Sequence, residues 1–389
     1  MPTARDRTEA TARRTERSLA PDLARGAMLL LIVLSNTSYY LWRGFGESAL
    51  DGFVRSAMAV VLDLRIYPMF AFLIGYGMVQ IHNRRPDERG AISLLRRRGA
   101  WMIVFGLAHA ALLMSTDVLG TWGLFTLVLA GLFLRRSDRT VLTWCGIGVA
   151  YLTLVLVVLT VVRFAVGDLD VTAGTDSAVA LSGSGEPGYL ASVLVRTMSW
   201  PGVTAATLLL GTAPIAILLG IWAARHRVLE EPGRHLRKLR WTASAGVAIG
   251  WTGGLPPALG DSPDAVIVWL QSMTGLPCGV GYAAAFGLIA HAVSRRPRPA
   301  FPVVALAAVG KRSLSCYLTH SVIFAPVLAA WGLGLGGHLT QAGMALFACG
   351  VWLVTVAGAY TLERGGRRGP AEIALRHLIH RPAAKRASS

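Results

Sequence analysis

The chain is built from apolar blocks, each roughly 17 to 27 residues long, the length a helix needs to cross a hydrocarbon layer of about 30 Å. Backbone N–H and C=O groups cannot stay unpaired in lipid, so such blocks must be helical. The alternating pattern of barrel strands is absent. Because 53% of residues are hydrophobic and only 15% are charged, the sequence predicts an all-α, polytopic integral membrane bundle.

The apolar blocks predict about ten transmembrane helices. Two shorter pieces, at 53–62 and 301–310, are expected to lie at the interface or to lengthen the helices that follow them. The segment 164–202 is expected to be the longest exterior loop. The predicted helices cover 20–42, 66–82, 99–115, 118–134, 141–163, 203–224, 241–257, 266–293, 313–333 and 341–362.

Basic residues separate the two sides of this predicted bundle. One set of alternating loops and tails holds 32 of the 38 Lys and Arg residues and the other holds 5. Basic loops stay in the cytoplasm, so both termini are predicted to be cytoplasmic, in the inner membrane of a bacterium. The net charge of +17 therefore reports topology, and no nucleic-acid surface is expected because no aromatic side chains interleave the basic ones. The basic set is 1–19, 82–98, 135–139, 225–240, 295–312 and 363–389.

These patterns divide the chain into three parts. Residues 1–19 are expected to form a disordered basic cytoplasmic tail, residues 20–362 the membrane bundle, and residues 363–389 a second basic tail. The four cysteines lie in separate apolar blocks without metal-type spacing, so no metal site is expected. The lipid bilayer is the one partner that the composition identifies, and the oligomeric state stays open.

Ionisable side chains inside the membrane are costly and therefore mark candidate sites. At the start of the first helix, Asp22 and Arg25 are three residues apart and share a helix face, where they can pair. Asn36 adds an amide farther along the same helix. A helix cap with an arginine reaching to the interface explains the first pair equally well.

A histidine and an aspartate flank the tight predicted turn at 115–117. His109 lies about two helical turns before it, Asp117 begins the next helix, and Trp122 follows. A carboxylate near an imidazole fixes its tautomer and raises its basicity, as a general base requires. The alternative is that His109 only bonds a neighbouring helix while Asp117 caps the next one.

The segment after Lys311 and Arg312 predicts a helix with one polar face. Tyr317 and His320 recur on that face at helical spacing. A polar stripe in lipid must face the bundle interior or a cavity, so both residues are expected to line a substrate route.

Four stretches of the chain, in this order, carry a resemblance to a known family. The sequence resembles the YeiB-like family of bacterial multi-pass membrane proteins, catalogued as domain of unknown function 418, with its C-terminal region at about 215–380. Its opening Asp-x-x-Arg-Gly is similar to that of membrane acyltransferases, including the lysosomal enzyme that acetylates heparan glucosamine. The stretches are Asp22-Leu23-Ala24-Arg25-Gly26 through Asn36, Phe72-Leu73-Ile74-Gly75 through Arg85, Arg97-Arg98 through His109, Asp117 and Trp122, and Gly310-Lys311-Arg312 through Tyr317, Trp352 and Arg368-Gly369-Pro370-Ala371-Glu372.

The resemblance implies an acyltransferase that moves an acyl group from cytoplasmic acyl-CoA to an envelope glycan, lipid or small-molecule acceptor, with no permanently bound cofactor. It implies that Arg97 and Arg98 pair with CoA phosphates, that His109 and Asp117 are catalytic, and that Asn36 binds the acyl carbonyl. Asp22, Arg25, Trp122, Tyr317 and His320 are the expected substrate-binding set. Two alternatives stay open: a transporter or exporter lined by the same residues, and a sensor or scaffold without a small-molecule site.

Overall fold

The computed structural model describes residues 19–42, 48–114, 117–167, 179–260, 264–295 and 300–379. Residues 1–18 and 380–389 of the two predicted tails lie outside these ranges, as do Ser115 and Thr116 of the predicted turn. Within the described ranges the regular structure is helical and contains no β-strand. The prediction of an all-helical protein is therefore confirmed.

The helices whose full extent is described follow one another through short connections. Single turns of 3-10 helix lie at Thr37–Tyr40, Pro232–Arg234 and Leu335–Gly337. The α-helices are α1 (Leu19–Asn36), α2 (Ala49–Val61), α3 (Ile66–Asn83), α4 (Glu88–Leu112), α5 (Val118–Phe133), α6 (Asp138–Val166), α7 (Tyr189–Leu210), α8 (Ala213–Arg225), α9 (Leu236–Gly253), α10 (Leu255–Ala258), α11 (Ala265–Ser294), α12 (Phe301–Lys311), α13 (Ser313–Leu328), α14 (Gln341–Arg364) and α15 (Pro370–Ile379).

Length and apolar character mark this chain as a membrane protein. Among the described residues, 5 helical segments are long and apolar enough to cross a bilayer. Helices α5, α8, α12 and α13 are apolar as well but shorter, at 10–17 residues. The 5 longer segments are Ala49–Asn83, Asp138–Val166, Tyr189–Leu210, Ala265–Ser294 and Gln341–Arg364.

The prediction of one long exterior loop at 164–202 is wrong from residue 189 onward, where α7 begins. The predicted helix at 203–224 is likewise two helices, because the chain breaks between α7 and α8. Gly211 adopts an extended conformation there (φ −83°, ψ 156°), and Pro214 stands in the first turn of α8, where a missing N–H costs nothing. Polar side chains on α7, including Arg196, lowered the hydropathy of its sequence and concealed the helix.

Side-chain caps fix the starts of the two helices that carry the candidate base. Asp87 accepts hydrogen bonds from the Arg89 and Gly90 backbone N–H groups at the start of α4. Asp117 accepts one from the Gly120 N–H, at 2.6 Å, at the start of α5. A carboxylate at this position satisfies otherwise unbonded amides and interacts favourably with the helix dipole.

Glycines allow the central helices to approach backbone to backbone. A methyl group on Gly26 of α1 would lie 1.9 Å from the Leu306 carbonyl oxygen of α12. One on Gly75 of α3 would lie 2.0 Å from the Ile217 carbonyl oxygen of α8. On α9, Gly246 faces the backbone of α11 in the same way, as the spacing of glycines in that helix predicts.

The two ends of the bundle are each held together by their own contacts. We call the end where α3, α5, α8, α12 and α14 finish the basic end, and the opposite end the far end. Polar pairs at the basic end are Glu88–Arg135 (3.1 Å), Asp138–Arg225 (2.7 Å), Gln80–Glu230 (2.8 Å) and Lys311–Glu363 (2.5 Å). Polar pairs at the far end are Arg163–Asp264 (3.5 Å), Asp51–Ala342 (2.9 Å), Trp42–Leu328 (3.3 Å) and Ser184–Tyr39 (2.7 Å).

Replacing Gly75 by alanine tests the close packing of α3 on α8. The added methyl would meet backbone, so the two helices must separate, and we expect the free energy of unfolding to fall by about 1–3 kcal/mol. Thermal unfolding in detergent measures this. The matched control is Gly146→Ala on α6, where the added methyl meets nothing within 4 Å. An unchanged midpoint for Gly75→Ala would contradict the packing.

Candidate functional site

A cavity of about 780 Å³ lies at the basic end of the bundle. Its deeper wall is apolar, with Leu29, Ile32, Phe70, Ile74 and Met102 among its residues. A space that is cationic at one end and apolar at the other suits an amphiphilic anion. The cations of its lining are Arg25, Arg84, Arg98, Lys311, Arg312, Arg367, Arg368 and Arg376, and the carboxylates are Asp22, Glu363 and Glu372.

Two glutamates from the C-terminal segment tie this lining to the start of α13. Glu363 accepts hydrogen bonds from Lys311 Nζ at 2.5 Å and from Arg312 Nη1 at 2.7 Å. Arg312 also donates through Nε to the Arg367 carbonyl at 3.1 Å. These contacts hold α12, α13 and α14 together beside the cavity.

Glu372 of α15 caps α13. Its Oε1 accepts from the Leu314 N–H at 2.8 Å and from the Ser315 N–H at 3.1 Å, and Oε2 accepts from the Ser315 hydroxyl. Arg98 of α4 is close enough to feel this carboxylate. Desolvation by burial lowers the pKa of Arg98, while the charge of Glu372 raises it. The guanidinium keeps its charge at any physiological pH, so it can pair with an anion in the cavity.

His109 and Asp117 meet at the turn between α4 and α5. His109 Nδ1 lies 2.8 Å from Asp117 Oδ1, and the two side chains are 1% and 0% exposed. Gly106 makes this approach possible, because a methyl group there would lie 2.4 Å from Asp117 Oδ2. His109 Nε2 is buried and has no hydrogen-bond partner in the described part of the chain. The pair therefore presents one unengaged ring nitrogen.

Tyr317 connects the cavity to this pair. Its ring centroid lies 5.1 Å from that of His109, and Tyr317 and Val118 both line the cavity. His109 and Asp117 are not lining residues themselves, so they stand directly behind the inner wall. A ligand that filled the cavity would thus end one side chain away from the imidazole.

The structure brings several of the other predicted site residues to this cavity. Asp22 and Arg25 both line it, with 3.7 Å between Asp22 Oδ1 and Arg25 Nη1. Trp122 is fully buried below Asp117 on α5, with ring centroids 4.6 Å from Tyr67 and 5.1 Å from Phe70. Trp122 supports the wall and is not part of the lining.

Three predicted site residues lie away from the cavity. Arg97 is exposed, because a helix turns neighbouring side chains to different faces and only Arg98 faces inward. His320 is buried between α13 and α14, where its Nε2 lies 3.0 Å from the Thr355 hydroxyl. Asn36 ends α1, is half-buried and makes no side-chain cap.

The cationic lining at Arg84, Arg312, Arg367 and Arg376 was missed as a binding feature. These residues sit in segments whose positive charge already had an explanation in membrane topology. A signal did exist, because Gly310-Lys311-Arg312 and Arg368 to Glu372 both carry the family resemblance, and the structure places them side by side.

Together these features define a class: a helical membrane protein with a basic cavity that ends at a buried histidine–aspartate pair. Residues 223–382 match the family described as "Protein of unknown function (DUF418)". The resemblance predicted from the sequence motifs is confirmed by this match. The "Uncharacterized protein YxaH" of Bacillus subtilis strain 168 is 26% identical to this chain over 334 residues, covering 82% of this chain and 80% of that protein.

Proposed function

We propose that this protein is a membrane-bound acyltransferase that takes its acyl group from cytoplasmic acyl-CoA. One observation carries the proposal: a single cavity runs from a cationic end to Tyr317, whose ring contacts the imidazole of a buried histidine–aspartate pair. Donor binding and proton transfer would thus meet at one place. The acceptor is a hydroxyl or amine of an envelope glycan, a lipid or a small molecule.

The cationic end supports binding of the CoA phosphates. Arg98 and Arg84 are the side chains we assign to them, with Arg25 beside Asp22 at the same opening. Guanidinium groups bind phosphate through two parallel hydrogen bonds, which adds geometric specificity to charge. The apolar wall from Met102 to Val118 would then hold the thioester end. CoA is a donor that leaves after the reaction, so no cofactor stays bound.

The proposed chemistry needs one base. His109 Nε2 removes the proton of the acceptor O–H or N–H as the acceptor atom attacks the thioester carbonyl. A bond from carbon to oxygen or nitrogen forms, the carbon–sulfur bond breaks, and the proton passes to the CoA sulfur, so free thiol leaves. Asp117 keeps the hydrogen on Nδ1 and stabilises the transient imidazolium.

Tyr317 replaces Asn36 in our assignment of the group that binds the carbonyl oxygen. Tyr317 lines the cavity and contacts His109, whereas Asn36 lies outside the lining. A hydroxyl donor at the position where negative charge develops lowers the barrier to acyl transfer.

The proposal places this protein in a bacterial inner membrane with ten crossings and both termini in the cytoplasm. The contacts within each end of the bundle support it, because the loops predicted to be cytoplasmic meet at the basic end. Helices α7 and α8 together make one crossing in this scheme. Arg196 of α7 binds the far end of α4, whereas Arg225 of α8 binds Asp138 at the basic end.

A fluorescent protein fused after Ser389 tests the orientation. We expect fluorescence in intact cells, because such a reporter folds in the cytoplasm, and we expect no activity from alkaline phosphatase fused at the same residue. The opposite pattern would contradict a cytoplasmic C-terminus and would place the basic end of the bundle outside.

Transfer of radiolabel from acetyl-CoA in isolated membranes tests the reaction. We expect labelled product with the wild type and a loss of at least about 100-fold with His109→Ala, since a positioned base contributes about that much. Asp117→Asn should lose a similar amount. His226→Ala is the control, because that side chain is exposed at the basic end.

The same assay separates the competing functions. Label in no product with any donor would contradict the acyltransferase, and equal labelling by His109→Ala would contradict its role as base. Burial of Tyr317, His320 and Ser321 on one face of α13 supports the transporter as second candidate. A transporter would move a solute across the membrane without changing it chemically.

A further inference from the structure

Arg196 is a fully buried arginine at the far end, beyond the cavity and outside the reaction described above. Its side chain is 1% exposed, and no carboxylate within ion-pair distance of it occurs in the described ranges. Burying a charge in this way is costly unless the group has a specific task. The contacts of Arg196 show what that task is.

Every hydrogen bond of the guanidinium goes to the surroundings of His109 or to its own helix. Nε donates to the Ala111 carbonyl at 3.0 Å and Nη2 to the Leu112 carbonyl at 3.4 Å. Nη1 donates to the Ser192 hydroxyl, one turn earlier on α7. Ala111 and Leu112 are the last residues of α4, two and three positions past His109, so Arg196 holds the segment that leads from His109 to Asp117.

Neighbouring groups hold the guanidinium in place. Its central carbon lies 5.7 Å from the centroid of the Tyr189 ring and 5.9 Å from that of the Trp331 ring, distances at which a cation is attracted to an aromatic face. The Tyr189 hydroxyl donates to the same Leu112 carbonyl at 3.2 Å. The Ser192 hydroxyl in turn donates to the Gly183 carbonyl at 2.8 Å. Arg196 is therefore a rigid clamp.

The clamp acts on a backbone segment that has no regular continuation. The N–H groups of Leu113 and Met114 both bond to the His109 carbonyl, at 2.9 and 3.1 Å, so the helix ends on His109 itself. Carbonyls at such an end need donors and favour a positive charge. Without Arg196, the last turn of α4 could rotate or fray, and the imidazole would move relative to Asp117.

We propose that Arg196 is a positioning residue that fixes His109 against Asp117 by binding the last-turn carbonyls of α4. This inference rests on the proposed function for its catalytic meaning, whereas its geometric content stands independently. A misplacement of about 1 Å at a base costs about 100-fold in rate. The effect should fall on kcat, because the donor-binding end of the cavity is elsewhere.

Nitrogen NMR of histidine-labelled protein in detergent tests the geometry without needing any reaction. Loss of one signal set in His109→Gln identifies His109. We expect the wild-type spectrum to show this imidazole with its hydrogen on Nδ1. In Arg196→Met we expect at least half of that tautomer to be lost, and in Arg196→Lys we expect most of it to return, because an ammonium can still bind a carbonyl.

Arg65→Met is the matched control. Arg65 is 0% exposed and also bonds to carbonyls, with its Nη2 2.6 Å from the Gly250 oxygen, but it touches α9 instead of α4. A His109 signal unchanged in Arg196→Met, or changed equally in Arg65→Met, would overturn the proposal. If Arg196→Met does not fold, Ser192→Ala loosens the clamp, with Thr197→Ala on the same helix as its control.

Acyl transfer by the same variants adds a second reading. Arg196→Met should lower kcat by at least about tenfold and leave the KM for acetyl-CoA unchanged. A wild type without any transfer would contradict the proposed function only, and the NMR result would still decide the positioning role. A change in KM alone would contradict the positioning role while leaving the acyltransferase intact.

Discussion

The carboxylate of Asp117 makes two contacts on which the arrangement of the site depends. One oxygen accepts the Gly120 N–H and starts α5, and the other lies 2.8 Å from His109 at the end of α4. A buried carboxylate is stable only when its oxygens are satisfied, so α4, α5 and the imidazole have to be placed together. The absence of side chains at Gly106 and Gly120 permits this distance, so the backbone and the candidate base are fixed by the same interaction.

The basic end is organised by carboxylates that are fewer than its cations. Glu363 and Glu372 are engaged by the start of α13 and its flanking residues. They hold the frame of the cavity, and the excess of positive charge that remains in the lining can act on a ligand. Both glutamates come from the C-terminal region, near the end of the chain, while Arg98 comes from α4. The binding end is therefore complete only when the two halves of the sequence pack together.

The sequence predicted the parts of this protein that depend on local pattern. Apolar block length gave the helical membrane class, and the tight turn between His109 and Asp117 correctly indicated their meeting. What failed was the segment containing Arg196, because polar side chains that bond to carbonyls of α4 make a buried helix read as a loop. The choice between Arg97 and Arg98 also needed the structure, since both are basic and only helix rotation decides which one faces inward. The pairing of Glu372 with α13 joins residues 58 positions apart, and no periodicity reports such a contact.

The central claim is that the cavity holds a phosphate-bearing acyl donor with its charge at Arg98. Equilibrium binding of CoA to the purified protein in detergent tests this most directly, with Arg98→Gln compared to Arg96→Gln. Arg96 is exposed and lies outside the cavity. Loss of a charge-assisted hydrogen bond should weaken binding about tenfold in Arg98→Gln, while Arg96→Gln should bind like the wild type. Equal affinities for all three proteins, or no CoA binding at all, would contradict the account.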